Sequence, residues 1–130
     1  MSPPPRIRIR RVYEPPGAGE GLEVLVDRVW PRGLSKEKLP IDAWEKELAP
    51  STELRKWFGH DPSRWEEFSR RYRLELAPHA DRLRKLLQAA GSQDLTLLYS
   101  ARDTEHNQAV VLREVLEELA KSGRDATGSC

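Results

Sequence analysis

The residues able to do chemistry fall into two short stretches. Asp27, Arg28, Trp30 and Arg32 follow directly on Val24-Leu25-Val26, an apolar run that reads as a buried strand. Pro31 and Gly33 stop that strand, so two guanidinium groups and a carboxylate stand where strand gives way to loop. Leu95-Thr96-Leu97-Leu98-Tyr99 ends in the same manner, running into Ser100-Ala101-Arg102-Asp103 and then His106 and Asn107. If the two strands are parallel neighbours, both polar sets share one rim. Ligands of open parallel sheets bind beyond the carboxyl ends of the strands, so the two exits define one candidate crevice.

Three arginines converging there, Arg28, Arg32 and Arg102, suit a phosphate or carboxylate, which the planar guanidinium fork holds through paired, charge-assisted bonds. A helix beginning just beyond Tyr99 adds unpaired amides and a positive dipole end. Asp27, Ser100 and Trp30 complete the ligand-binding set, with Trp30 as a pocket wall against a ring or base. Asp103, His106 and Asn107 supply a carboxylate, an imidazole and an amide within one turn, the parts of an acid-base centre. A structural account competes: Arg28 paired with Asp27 or Asp103, Arg102 with Glu105, Asp103 capping the last helix through the amide of His106, and Asn107 clamping a neighbouring loop.

Other chemistries lack their signatures. There is no glycine-rich phosphate loop, no Gly-x-Ser-x-Gly elbow and no Cys-x-x-Cys pair. His60 reads as a turn residue whose ring packs on Trp57, and pairing it with His106 would give two ligands without sequence-local partners, so no metal site is expected. The residues leave the cofactor unknown.

The elements that must position these groups follow from periodicity. Arg6-Ile7-Arg8-Ile9-Arg10 alternates at period two, a first strand with one buried and one arginine-coated face. Pro15-Pro16-Gly17-Ala18-Gly19 is a turn, and Leu22 to Trp30 reads as the second strand. Leu39, Ile41, Trp44 and Leu48 fit either a short helix entered through Pro40 or an irregular crossover. Ser51 caps a short helix ending near Gly59; Asp61-Pro62 opens another, with Trp65, Phe68, Tyr72 and Leu76 on one face and Pro78 at its end. Leu83, Leu86, Leu87 and Ala90 mark a third, stopped by Gly91, and a last helix runs from about Thr104 to Lys121. Strands separated by helices argue for one α/β domain over residues 6 to 121, a small, mostly parallel sheet in a three-layer, Rossmann-like or flavodoxin-like arrangement, with flexible termini at 1 to 5 and 122 to 130.

Composition narrows the partners. In 130 residues, 22 basic side chains nearly cancel 21 acidic ones, so no global field draws the chain toward nucleic acid or an anionic membrane. The single cysteine, Cys130, has no disulfide partner, which suits a reducing cytoplasm. No apolar window is long enough to span a bilayer.

The motifs Val26-Asp27-Arg28-Val29-Trp30-Pro31-Arg32-Gly33-Leu34-Ser35-Lys36, Leu48-Ala49-Pro50-Ser51, Leu54-Arg55-Lys56-Trp57-Phe58-Gly59-His60-Asp61-Pro62 and Thr96-Leu97-Leu98-Tyr99-Ser100-Ala101-Arg102-Asp103 with Glu105-His106-Asn107 occur in this order. In them the chain resembles the YeaO-like family of small bacterial proteins, a domain of unknown function, over about Arg6 to Leu119. Related chains usually carry a histidine where Gln108 stands. The resemblance implies a compact α/β fold and no established activity.

Two functions are therefore expected as alternatives. One is a site for a small anionic metabolite, phosphate, nucleotide or carboxylate, with or without acid-base catalysis. The other is a non-catalytic module that contacts nucleic acid or an acidic protein through Arg6, Arg8 and Arg10. Steep salt dependence would mark the second, because a polyanion releases counterions on binding.

Overall fold

A computed structural model describes residues 6–14 and 21–128, with side chains up to 121. The leading prolines, the turn at 15–19 and Cys130 lie outside the described residues. Four strands, β1 (Ile7–Arg11), β2 (Leu22–Leu25), β3 (Ala43–Trp44) and β4 (Leu95–Tyr99), form one parallel sheet in the order β1-β4-β2-β3. The fold is α/β, as the alternation of strands and helices requires.

The central strand β4 is buried along its whole length, which is why it reads as a continuous apolar run. Its alternate residues serve different cores. Leu95, Leu97 and Tyr99 join Ile7, Val24 and Val26 against the helices, whereas Leu98 packs with Leu25 and Val12 on the other face. The helical layer consists of α1 (Thr52–Phe58), α2 (Trp65–Leu76), α3 (Ala80–Ala90) and α4 (Gln108–Gly128), which bury Phe58, Phe68, Tyr72, Leu83, Leu112 and Leu116 in a single core. Phe58 and Phe68 stack with centroids 4.3 Å apart and fasten α1 to α2.

The opposite face is covered by coil. Leu39, with Trp30, Leu34 and Ile41 around it, closes over Leu25 and Leu98. The stretch at 35–49 is thus an irregular crossover with a short parallel pairing in it. The Asp42 carboxylate accepts from the Glu23 amide at 2.8 Å while the Asp42 amide donates to the Glu23 carbonyl at 2.9 Å, and this clip holds β3 against β2.

The expected punctuation is present. Ser51 Oγ accepts from the Leu54 amide at 3.1 Å to start α1, and Gly59 ends it in the left-handed region, at φ 54°. Asp61 accepts from Ser63 N ahead of α2, whose last residue precedes Pro78 by one short turn. Gly21 is required for a different reason: a Cβ there would lie 2.0 Å from the Asp94 carbonyl oxygen, which accepts from the Leu22 amide.

Two elements have bounds that differ from the sequence reading. β2 stops at Leu25, not Trp30, although the Val26 amide still donates to Leu98. Beyond it the backbone turns away from β4 because the Asp27 carbonyl accepts from the Trp44 indole at 2.7 Å, a partner on β3 that no local pattern reveals. The last helix begins at Gln108, not Thr104, and continues past Lys121 to Gly128. Its start is set by Asn107, whose Oδ1 accepts from the Val110 amide at 3.2 Å, while Asp103 organises the turn before it.

Candidate functional site

The ends of β2 and β4 open into one cavity of about 950 Å³. Asp27, Arg28, Trp30 and Arg32 line it from the first exit, and Ser100, Arg102, Asp103, His106 and Asn107 from the second. The parallel β2–β4 pairing, with Leu25 opposite Leu98, places the two exits side by side.

Arg28 does not pair with Asp27 or Asp103. Its Nε donates to the Pro50 carbonyl at 3.0 Å and its Nη2 to that of Ala49 at 3.3 Å, so it ties the first exit to the segment leading into α1. This corrects the expectation of an ion pair: the two carbonyls within reach take the donors, and Arg28 still lines the cavity. Trp30 lines the cavity, fixed by an indole bond to the Leu34 carbonyl and edge-on to Trp44 at 5.4 Å.

The second exit is a closed hydrogen-bonded turn. Asp103 Oδ1 accepts from the amides of Glu105 and His106 at 2.9 and 3.0 Å, and these bonds hold the carboxyl below the usual carboxylate range. Its Oδ2 lies 3.0 Å from His106 Nδ1, which orients the imidazole. The ring also meets the edge of Trp65 at 5.2 Å. Asn107 is buried, with Nδ2 donating to the Asp103 carbonyl at 2.9 Å and Oδ1 capping α4. Asp103 accepts from the His106 amide as expected, but that bond closes the turn before α4, and the cap expected of Asp103 falls to Asn107, which clamps its own turn and not a neighbouring loop. Arg102 is exposed and is not paired with Glu105.

Asp27 is 7% exposed, and burial pushes its pKa up; Ser100 and Gln108 as hydrogen-bonding neighbours, and Arg55 at longer range, offset part of that rise. Gln108 Nε2 donates to Asp27 Oδ1, bringing the first residue of α4 onto the exit of β2.

The cavity contains residues that the sequence did not single out. Arg55 and Lys56 from α1, with Arg11 and Tyr13 from the end of β1, complete its wall. On α1 the two bases read as an ordinary solvated face, and only the docking of α1 beside the strand ends turns them toward the crevice. In all, Arg11, Arg28, Arg32, Arg55, Lys56 and Arg102 line it against two carboxylates, Asp27 and Asp103. Arg11 is held by the Ala101 carbonyl, and Arg28 as above. Arg32, Arg55, Lys56 and Arg102 are exposed, and their side chains make no hydrogen bond or ion pair among the described residues.

His60 also lines the cavity, but its ring lies 6.4 Å from Phe58 and not on Trp57. Trp57 is covered instead by the guanidinium groups of Arg71 and Arg64, at 4.2 and 5.3 Å, and is not part of the crevice. The arginine face of β1 is likewise engaged: Arg8 pairs with Asp94 at 2.7 Å and Arg10 with Glu23 at 2.6 Å. Among the described residues, no cluster of three or more metal-ligating side chains occurs, and no helix is long and apolar enough to cross a membrane.

A family model described as the inactive DUF488-N3 subclade matches residues 6–130. The chain belongs to that family. It is 45% identical over 113 residues to the uncharacterised protein YeaO of Escherichia coli, a match covering 87% of this chain and 98% of the relative. Uncharacterised proteins of Mycobacterium tuberculosis and Mycobacterium bovis are each 40% identical over 111 residues, covering 85% of this chain and 93% of theirs. The resemblance to YeaO-like proteins read from the motifs is thus established. No solved structure matches.

Proposed function

We propose that the crevice at the ends of β2 and β4 binds a small anionic metabolite bearing a phosphate or carboxylate, and that it does so without turnover. The observation that carries this reading is the local excess of base: six basic side chains face two carboxylates in a chain whose overall charge is +1. Four of the six have no protein partner among the described residues. Arg32, Arg55, Lys56 and Arg102 are the proposed clamps, Arg28 and Asn107 hold the loops that carry them, and Trp30 and Phe58 supply flat apolar wall. Ser100 and Asp27 contribute polar groups at the base.

The Asp103–His106 pair has the arrangement of an acid-base dyad, because the carboxylate fixes Nδ1 and leaves Nε2 for another partner. The description of the family as inactive favours binding over catalysis, and in this reading the imidazole serves as a hydrogen-bonding group for the ligand. The alternative, a nucleic acid or an acidic protein on Arg6, Arg8 and Arg10, has less support, because two of these three, Arg8 and Arg10, are already paired with carboxylates.

The test is calorimetric titration with inorganic phosphate, nucleotides and dicarboxylates at low and moderate salt, repeated on Arg102→Ala. We expect salt-tolerant binding of one chemical class, weakened about tenfold or more in the variant, since a charge-assisted bond is lost. The melting temperature should stay close to the parent's because Arg102 supports nothing else. Absence of binding to every anion would overturn the proposal.

A further inference from the structure

The base of the crevice holds a group that an anion site alone does not explain. Asp27 lines the cavity while only 7% exposed, and its two oxygens are in different situations. Oδ1 accepts from Gln108. Oδ2 is buried and has no hydrogen-bond partner among the described residues, although Ser100 lies beside the carboxyl and offsets part of its burial. Arg28, the adjacent base in sequence, is directed to the Pro50 and Ala49 carbonyls and does not answer it. A buried acceptor left without a donor is uncommon in folded proteins and calls for a partner supplied from elsewhere.

A carboxylate has no hydrogen to give, and a phosphate held there through its P–OH would still set two anions together. A ligand whose inner end carries a hydroxyl or N–H would satisfy Oδ2 while its charged end meets the exposed bases. Between them Phe58, Phe68 and Trp30 offer apolar wall to the ligand's body.

We propose that Asp27 is a specificity-determining residue, selecting anions that carry a hydrogen-bond donor at the end remote from their charge. The inference rests on the crevice being an anion site. Gln108 has a positioning role in it: by occupying Oδ1 it fixes the carboxyl plane and leaves Oδ2 for the ligand.

Two probes that differ only by a hydroxyl at the end remote from the phosphate separate the possibilities: phenyl phosphate and para-hydroxyphenyl phosphate, titrated calorimetrically into the wild-type chain and into Asp27→Asn. The wild type should bind the hydroxylated probe about tenfold more tightly, the value of one hydrogen bond to a charged group. Asp27→Asn should bind phenyl phosphate more tightly than the wild type does, because a repelling carboxylate is gone, and its preference for the hydroxyl should fall to about threefold or less. Equal affinities in the wild type, or a full hydroxyl preference retained in the variant, would overturn the role of Asp27 and leave the anion site standing. If neither probe binds the wild type, the anion site itself fails.

Discussion

Arginine is used in two ways on this molecule, and the contrast lies between the outer face of β1 and the crevice. On β1, Arg8 and Arg10 stand next to β4 and are met by Asp94 and Glu23; the Arg10 side chain is only 10% exposed. In the crevice, Arg32, Arg55 and Arg102 come from three separate segments and meet no carboxylate. The same side chain is scaffold where the sheet supplies its counter-charge and available for a ligand where it does not. Net charge near zero conceals this division, because acidic residues that balance the count lie on β2, just ahead of β4 and on the helices.

The difference breaks most visibly at Arg10. Arg10→Ala leaves the Glu23 carboxylate half-buried without its partner, so chemical denaturation should show a loss of about 1–3 kcal/mol with phosphate affinity unchanged. Arg102→Ala should do the reverse. If both variants lost affinity together, the two regions would be one electrostatic unit and the contrast would dissolve.

Asp27→Asn sharpens the same contrast from the acidic side. The folded state raises the Asp27 pKa above its ordinary value of 3.8, so the native chain holds that proton more tightly than the unfolded chain does. Its favourable contribution is complete below pH 3.8 and is lost as pH rises through the raised value, leaving a buried carboxylate as a burden at neutral pH. Asn carries no such burden and still accepts from Gln108. The variant should therefore gain about 1 kcal/mol at pH 7, with the advantage vanishing near pH 3, as measured by melting across that range. A variant less stable than the parent at pH 7 would show that the ionised carboxyl is fully satisfied within the fold. A group that lowers stability while facing a cavity is the pattern of a site retained for binding.

The smallest effect belongs to the solvated face of α2, where Glu67 contacts both Arg70 and Arg71. These bonds hold its pKa down at about 2, so whatever they contribute is present above pH 4.5 and disappears as pH falls through about 2. The group is partly exposed and screened by solvent, and Glu67→Gln should melt within about a degree of the parent. A larger shift would mean that surface pairs on this chain are worth more than the contrast between its two arginine regions assumes.

Much of the fold was legible in the residues. β4, the cap at Ser51, the stop at Gly59 and the faces of α2 and α3 follow from patterns within one turn or one strand, where local sterics and burial decide the outcome. The crevice was legible to the same degree: two strands each ending in arginine and aspartate, joined by the rule for parallel sheets. What the residues did not disclose were partners distant along the chain. The Trp44 indole that ends β2 at Leu25, the carbonyls of Ala49 and Pro50 that claim Arg28, and the turn of α1 that brings Arg55 and Lys56 to the rim all depend on segments meeting in space.

By itself, then, the sequence determined which residue types gather at the strand ends and that the strands are parallel, because hydrophobic period and chain-stopping residues act over short range. Only the tertiary structure decided which of those charges are neutralised. A guanidinium takes the best acceptor within reach, and reach is set by how β3, α1 and the coil layer pack around the sheet. That packing tied Arg28 to backbone, left Arg102 open, and buried Asp27 with one oxygen unmet.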